Sequence, residues 1–211
     1  MNDKVGAFCK LMESNHLRYL RWVRDTTVGP KLVELNGVVN RAYNVVETRE
    51  LEQVLTKVKT KGKMEFPRSR AFLFLEPPDK EAVLPVLSAT GDFNENKLSV
   101  RMALFTLDEW AKPAAVGFRF ETPHGKRRHN YHHVQMIRTF DKDIELPQAP
   151  PWLPVTQPAL MMSATNPLTL FLGVLISLYG FEGLERNLKG QGFNQSLKDE
   201  LDELKKACGH I

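Results

Sequence analysis

Residues 115–140, AVGFRFETPHGKRRHNYHHVQMIRTF, form two alternating runs around a turn rich in His, Gly, Lys and Arg. No other stretch restricts the fold so tightly. Side chains alternate across a strand, and a slip of one residue would turn the apolar set out to water. Phe118, Phe120, Val134 and Met136 therefore belong on one side of an antiparallel hairpin. Arg119, Glu121, Tyr131, His133 and Gln135 then fall together on the other. In residues 98–107, LSVRMALFTL, the apolar Val100, Met102 and Leu104 keep the same parity. If that strand is a neighbour, Arg101 stands beside the polar group.

The flanks of this segment have the other period. Val5, Phe8 and Leu11, then Leu17, Leu20 and Val23, recur at helical spacing. Pro30 suits the first turn of a second helix, whose stripe reads Leu32, Leu35, Val39, Ala42 and Val46. Thr48 is placed to cap a third, carrying Leu51, Val54, Leu55 and Val58. AFLFL, residues 71–75, is apolar on both faces, as a strand covered on both sides must be. Residues 83–90 fit a strand or a short helix. Residues 146–158 hold five prolines and read as an extended connector. Asn166-Pro167 opens an apolar helix that Gly180 can close, and Leu197, Leu201, Leu204 and Cys208 mark a last one, with Ser196 and Asp199 spaced as a capping box.

The fold expected is α+β: an antiparallel β-sheet over about residues 70–140, packed by N-terminal and C-terminal helices. Its parts are a basic helical segment (1–66), the sheet with its polar hairpin (67–145), the proline-rich connector (146–160) and the C-terminal helices (161–211), together one compact domain. The chain's 211 residues are enough for a core without staples, and 42% hydrophobic with 26% charged content is neither disordered nor fibrous. Cys9 and Cys208 provide no disulfide framework. Leu168–Phe181 is shorter than the ~20 residues a spanning helix needs, and the N-terminus lacks a signal-type apolar core. The expectation is a soluble, cytoplasmic protein of a size common in bacteria, not bound to membrane.

Residues 1–70 hold 14 Lys/Arg against 8 Asp/Glu, while the remainder is slightly acidic. A basic third attracts polyanions at long range without specificity. The hairpin face adds the ingredients for acid–base chemistry on a phosphate. Glu121 suits a general base, His133 a general acid, and an arginine stabilises charge on a phosphoryl oxygen. The set is similar in kind to the sheet-borne Glu, His, Arg and Tyr of small microbial ribonucleases, although order, spacing and chain length differ. The competing explanation is an ordinary solvated sheet face held by cross-strand pairs.

Lys126, Arg127 and Arg128 at the turn, with Arg101, are the candidate phosphate contacts. Four histidines, His124, His129, His132 and His133, raise a metal site, but adjacent strand residues point to opposite faces and the cationic turn opposes a metal ion. No phosphate loop, nucleophile elbow or paired-cysteine motif occurs, and no cofactor is expected. The function expected is binding of RNA, single-stranded DNA or another phosphate-bearing ligand, extending to metal-independent RNA cleavage. The alternatives are a non-catalytic subunit docking on a protein partner and a metal-dependent nuclease.

Overall fold

The computed structural model describes residues 3–25, 29–66, 71–78, 83–107, 113–123, 130–137, 139–141, 144–145, 160–188 and 195–209. Three helices come first: α1 (Asp3–Arg24), α2 (Pro30–Ala42) and α3 (Thr48–Lys61), with the short strand β1 (Asn44–Val45) between the last two. After β2 (Lys63–Met64), the chain lays down β3 (Ala71–Phe74), β4 (Val83–Asp92), β5 (Lys97–Leu107), β6 (Pro113–Glu121) and β7 (His133–Ile137). A small separate hairpin, β8 (Thr139–Asp141) with β9 (Ile144–Glu145), follows. Then come β10 (Leu160–Met161), α4 (Pro167–Leu188) and α5 (Gln195–Ala207).

The main sheet runs β1-β3-β4-β5-β6-β7-β10, with β2 on β4; only the β1–β3 pair is parallel. The fold is therefore α+β, a mostly antiparallel eight-stranded sheet carrying the N-terminal helices α1–α3 and the C-terminal helices α4–α5. The sheet draws in β1, β2 and β10 from outside residues 70–140. Residues 83–90 lie in the strand β4, paired along its length with β5. The proline-rich connector lies outside the described residues up to β10.

Both faces of the sheet are covered. On one, Leu73, Leu87, Val100, Met102 and Phe120 pack with the apolar sides of α1, α3, α4 and α5. On the other, Phe72, Phe74, Leu84, Val86, Ala103 and Phe105 pack under Leu32, Leu35 and Val39 of α2 and under Tyr19 and Trp22 of α1. The parity expectation is thus half corrected. Odd residues of β5 are polar at one end, but Ala103 and Phe105 at the other end are buried core, because α2 covers that half.

Three helix expectations also change. The buried stripe of α1 runs through Phe8, Leu11, Met12, Asn15, His16, Tyr19 and Trp22, whereas Leu17, Leu20 and Val23 are 41%, 38% and 42% exposed. Asn15 and Tyr19 are tolerated inside because Asn15 Nδ2 donates to Leu11 O at 2.8 Å and Tyr19 Oη donates to Asn36 Oδ1 at 2.6 Å. Val46 lies beyond α2, after β1, where its N–H donates to Phe72 O. Glu47, not Thr48, caps α3, and its N–H donates to Glu50 Oε2 at 3.0 Å. The αL Gly62 ends that helix with φ 70°.

Asn166 caps α4: its Oδ1 accepts from the N–H groups of Leu168 and Thr169. Gly180, at φ 69° and ψ 171°, kinks α4 without ending it, and the helix continues to Leu188. By length and composition α4 is long and apolar enough to cross a bilayer, and half of its most apolar window is buried against the rest of the chain. In α5, Leu197, Leu201 and Leu204 are buried while Cys208, past its end, is exposed. Phe171 of α4 is fully buried and meets the Phe8 ring edge-on at 5.1 Å. Phe171→Ala should cost about 3–5 kcal/mol of folding stability, read by urea unfolding followed by circular dichroism.

Candidate functional site

Three adjacent strands build the polar end of the α2-facing side. The register sets Ser99 opposite Glu121 and Glu121 opposite His133; one step along, Arg101 faces Arg119, and Arg119 faces Gln135. Ser88 of β4 pairs with Arg101, so this end remains polar across a fourth strand. The expected residues Arg119, Glu121, His133 and Gln135 therefore form one contiguous patch, with Arg101 beside it. Tyr131, just before β7, joins through its ring, which lies 5.7 Å from that of His133 at 72°.

Glu121 is the hub. Its Oε2 is 3.0 Å from Arg119 Nε and 3.4 Å from His133 Nε2, and its Oε1 accepts from Ser99 Oγ at 3.1 Å. Gln135, with its amide oxygen toward Arg119, accepts from the same guanidinium. Arg119 is thus gripped from two sides, which spares a flexible cation the entropy of finding its place. On the far side of the imidazole, His133 Nδ1 donates to Tyr131 O at 2.9 Å. That bond occupies Nδ1 with a proton and turns Nε2 toward the carboxylate.

Burial separates the roles. Glu121 is 8% exposed and His133 is 0% exposed, whereas the Arg119 side chain keeps 30% of its surface in water and Arg101 is half-buried. Acid–base transfer to a ligand needs the donor atom within about 3 Å of it, directly or through one water. In this conformation a covered imidazole behind a carboxylate does not touch a ligand. Glu121 instead holds Arg119, the group that reaches solvent.

Lys126, Arg127 and Arg128, with His124 and His129, lie outside the described residues. His132 and His133 are adjacent in the chain and so point to opposite sides of the strand. Burial, and secondarily the neighbouring His133, lowers the pKa of His132 from its ordinary value. Among the described residues no three His, Cys, Asp or Glu side chains gather where they could hold a metal ion.

One feature escapes a reading by strands and stripes. A groove of about 560 Å³ opens between α1, α2, β1 and the start of α3, lined by His16, Leu20, Asn40, Asn44, Val45, Val46, Glu47 and Thr48. His16 is 1% exposed, its Nε2 is 3.2 Å from Thr48 Oγ1, and burial lowers its pKa. Nucleophilic catalysis by Thr48 would need the base oriented by a third group. His16 Nδ1 has no such partner among the described residues. The signal in the sequence was a histidine on the apolar stripe of α1, visible only once the stripe is rotated off Leu17 and Leu20.

No protein-family model, curated protein or solved structure matches this chain.

His16 and His132 give the fold a pH dependence of definite sign. Each is held neutral by burial, so its folded pKa lies below the unfolded value of 6.5. Their contribution is fully present above about pH 6.5, where both states are neutral, and is lost as pH falls below it, because the unfolded chain then binds more protons. Urea unfolding across pH 7.5 to 5 should show falling stability, and His16→Gln should flatten that slope.

Proposed function

We propose that this protein binds phosphate-bearing ligands, single-stranded nucleic acid foremost, across the Arg101–Arg119 end of its sheet. The observation that carries the reading is the direct opposition of those two arginines on neighbouring strands. Arg119 is held by Glu121 with part of its surface in water, and a phosphate lying across both guanidinium groups would add charge-assisted hydrogen bonds from two adjacent strands.

The surroundings support binding before chemistry. Glu121 and Gln135 fix Arg119 with its outer surface in water, and Ser88 and Ser99 add hydroxyl groups on the same polar end. Arg21 and Arg24 of α1 are exposed and extend the positive field beyond the sheet. Lys126, Arg127 and Arg128 lie in the sequence between β6 and β7, outside the described residues, and add positive charge to this part of the chain. In this reading Glu121 and His133 are positioning residues.

RNA cleavage is the second reading, favoured by the 3.4 Å approach of His133 to Glu121, a proton-sharing geometry beside an arginine. It requires the ligand, on docking, to open the cover over the imidazole.

One experiment tests both. Labelled single-stranded RNA and DNA are titrated with the protein by fluorescence anisotropy over a salt series, and the RNA is then checked for products with chelator present. Affinity should fall steeply with salt, and Arg101→Gln/Arg119→Gln should weaken it about tenfold or more while reducing the salt slope by about 1–2. Glu121→Gln should weaken it less, by releasing Arg119. Unchanged affinity in the double arginine variant would sink the proposal. Chelator-resistant products abolished by His133→Gln would promote the cleavage reading, and no binding by any sample would favour a subunit role.

A further inference from the structure

We infer that the groove between α1, α2, β1 and the start of α3 is a second binding site, for an uncharged planar heterocycle carrying an amide-like donor and acceptor, the class of the nucleobases. It is separate from the sheet face and rests on different residues. Its volume of about 560 Å³ falls in the range of roughly 300–1,000 Å³ usual for small-molecule sites.

The lining sets the chemistry. Among the described residues Glu47 is its one ionic side chain: Asn40, Asn44 and Thr48 are exposed at the rim, and His16 is buried. Each Asn amide offers both donors and an acceptor, and Leu20 and Val45 supply apolar surface for a ring to lie against. Glu47 sits at the cap of α3, where its negative charge opposes an anion at that helix end. Neutral ligands with mixed hydrogen-bonding edges fit this set better than phosphates do.

The edge of the sheet also points to a ligand. Among the described residues β1 is the edge strand and pairs with β3 alone. Because Val46 N–H donates to Phe72 O, strand alternation turns Val45's own N–H and C=O away from β3, to the outer edge, and Val45 lines the groove. A donor and acceptor from one residue match the cis-amide edge of a heterocycle.

His16 also sets what Thr48 offers. With the proton on Nδ1, Nε2 accepts from the Thr48 hydroxyl, whose oxygen then accepts from the ligand; with the proton on Nε2, the hydroxyl is free to donate. Either tautomer therefore leaves one polar contact for a neutral guest.

The test uses the full chain with ¹⁵N-labelled histidine and the four ribonucleosides, which carry no phosphate, beside inorganic phosphate. At least one nucleoside should shift the His16 ring resonances saturably. Asn44→Ala, at an exposed position, should weaken that binding about tenfold, the loss expected for a missing hydrogen bond. Thr48→Val should do the same, while Arg101→Gln/Arg119→Gln should leave it unchanged. The inference would be overturned by no saturable shift with any nucleoside, by wild-type affinity in the Asn44 and Thr48 variants, or by the same shift from phosphate alone, which would make the groove an anion site at the α3 terminus. Loss in the double arginine variant would also overturn it, by assigning the nucleosides to the sheet face.

Discussion

The pairing of β5 with β6 is the constraint on which the rest of the architecture hangs. From Ser99–Glu121 to Leu107–Pro113 the two strands keep one register without interruption. That register puts Val100, Met102, Phe118 and Phe120 on the side of α1, α3, α4 and α5, and Ala103, Phe105 and Ala115 on the side of α2. A one-residue slip would exchange these sets and bring Arg101 and Arg119 under the helices, where unpaired charge is costly. Register is therefore specified twice, by apolar burial on both faces and by the exclusion of arginine from them.

The same constraint explains which parts could be read from the chain. Parity alone groups Arg119, Glu121, His133 and Gln135, since period-2 patterns survive whatever covers the strand. It does not tell how far a covering helix reaches. α2 stops short of the polar end, so one strand face divides into core at Phe105 and polar patch at Arg101. Burial within the patch was equally hidden: Glu121 and His133 are shielded by tertiary surroundings that no local pattern encodes. In α1, the true stripe contains Asn15, His16 and Tyr19, whose polar atoms make them look like surface residues until their partners in the fold are known. Leu17, Leu20 and Val23 then occupy the outward side, a reminder that apolar residues are not confined to interiors.

Electrostatics at the patch follows a simple hierarchy. A buried carboxylate is costly unless neighbours supply charge and hydrogen bonds, and Glu121 has Arg119, Ser99 and His133 within reach. Those contacts fix the carboxylate, and the carboxylate in turn fixes a guanidinium whose outer surface remains wet. Gln135, across the next strand, closes the grip. Rigidity here comes from sheet register rather than from loops, which is the favoured support for a recognition group that must keep its orientation.

The two polar regions differ in a way that bears on how one chain can handle one kind of ligand. The sheet end presents Arg119, held by a buried acid, with Arg101 beside it; the α1–α3 groove presents amides, a hydroxyl and a neutral imidazole, with the Glu47 carboxylate at a helix cap. In the proposed function phosphate is held at the first through charge and opposed at the second, while an uncharged ring gains little from charge and more from the second's paired donors and acceptors. The sheet joins them structurally, since β1 at its edge and β5 to β7 at its centre and far side belong to one hydrogen-bonded array. A nucleotide-bearing partner has both chemistries in its own covalent structure, phosphate and base. A protein that separates their recognition onto two sets of residues can tune affinity at the arginines through salt while choosing among bases at the groove.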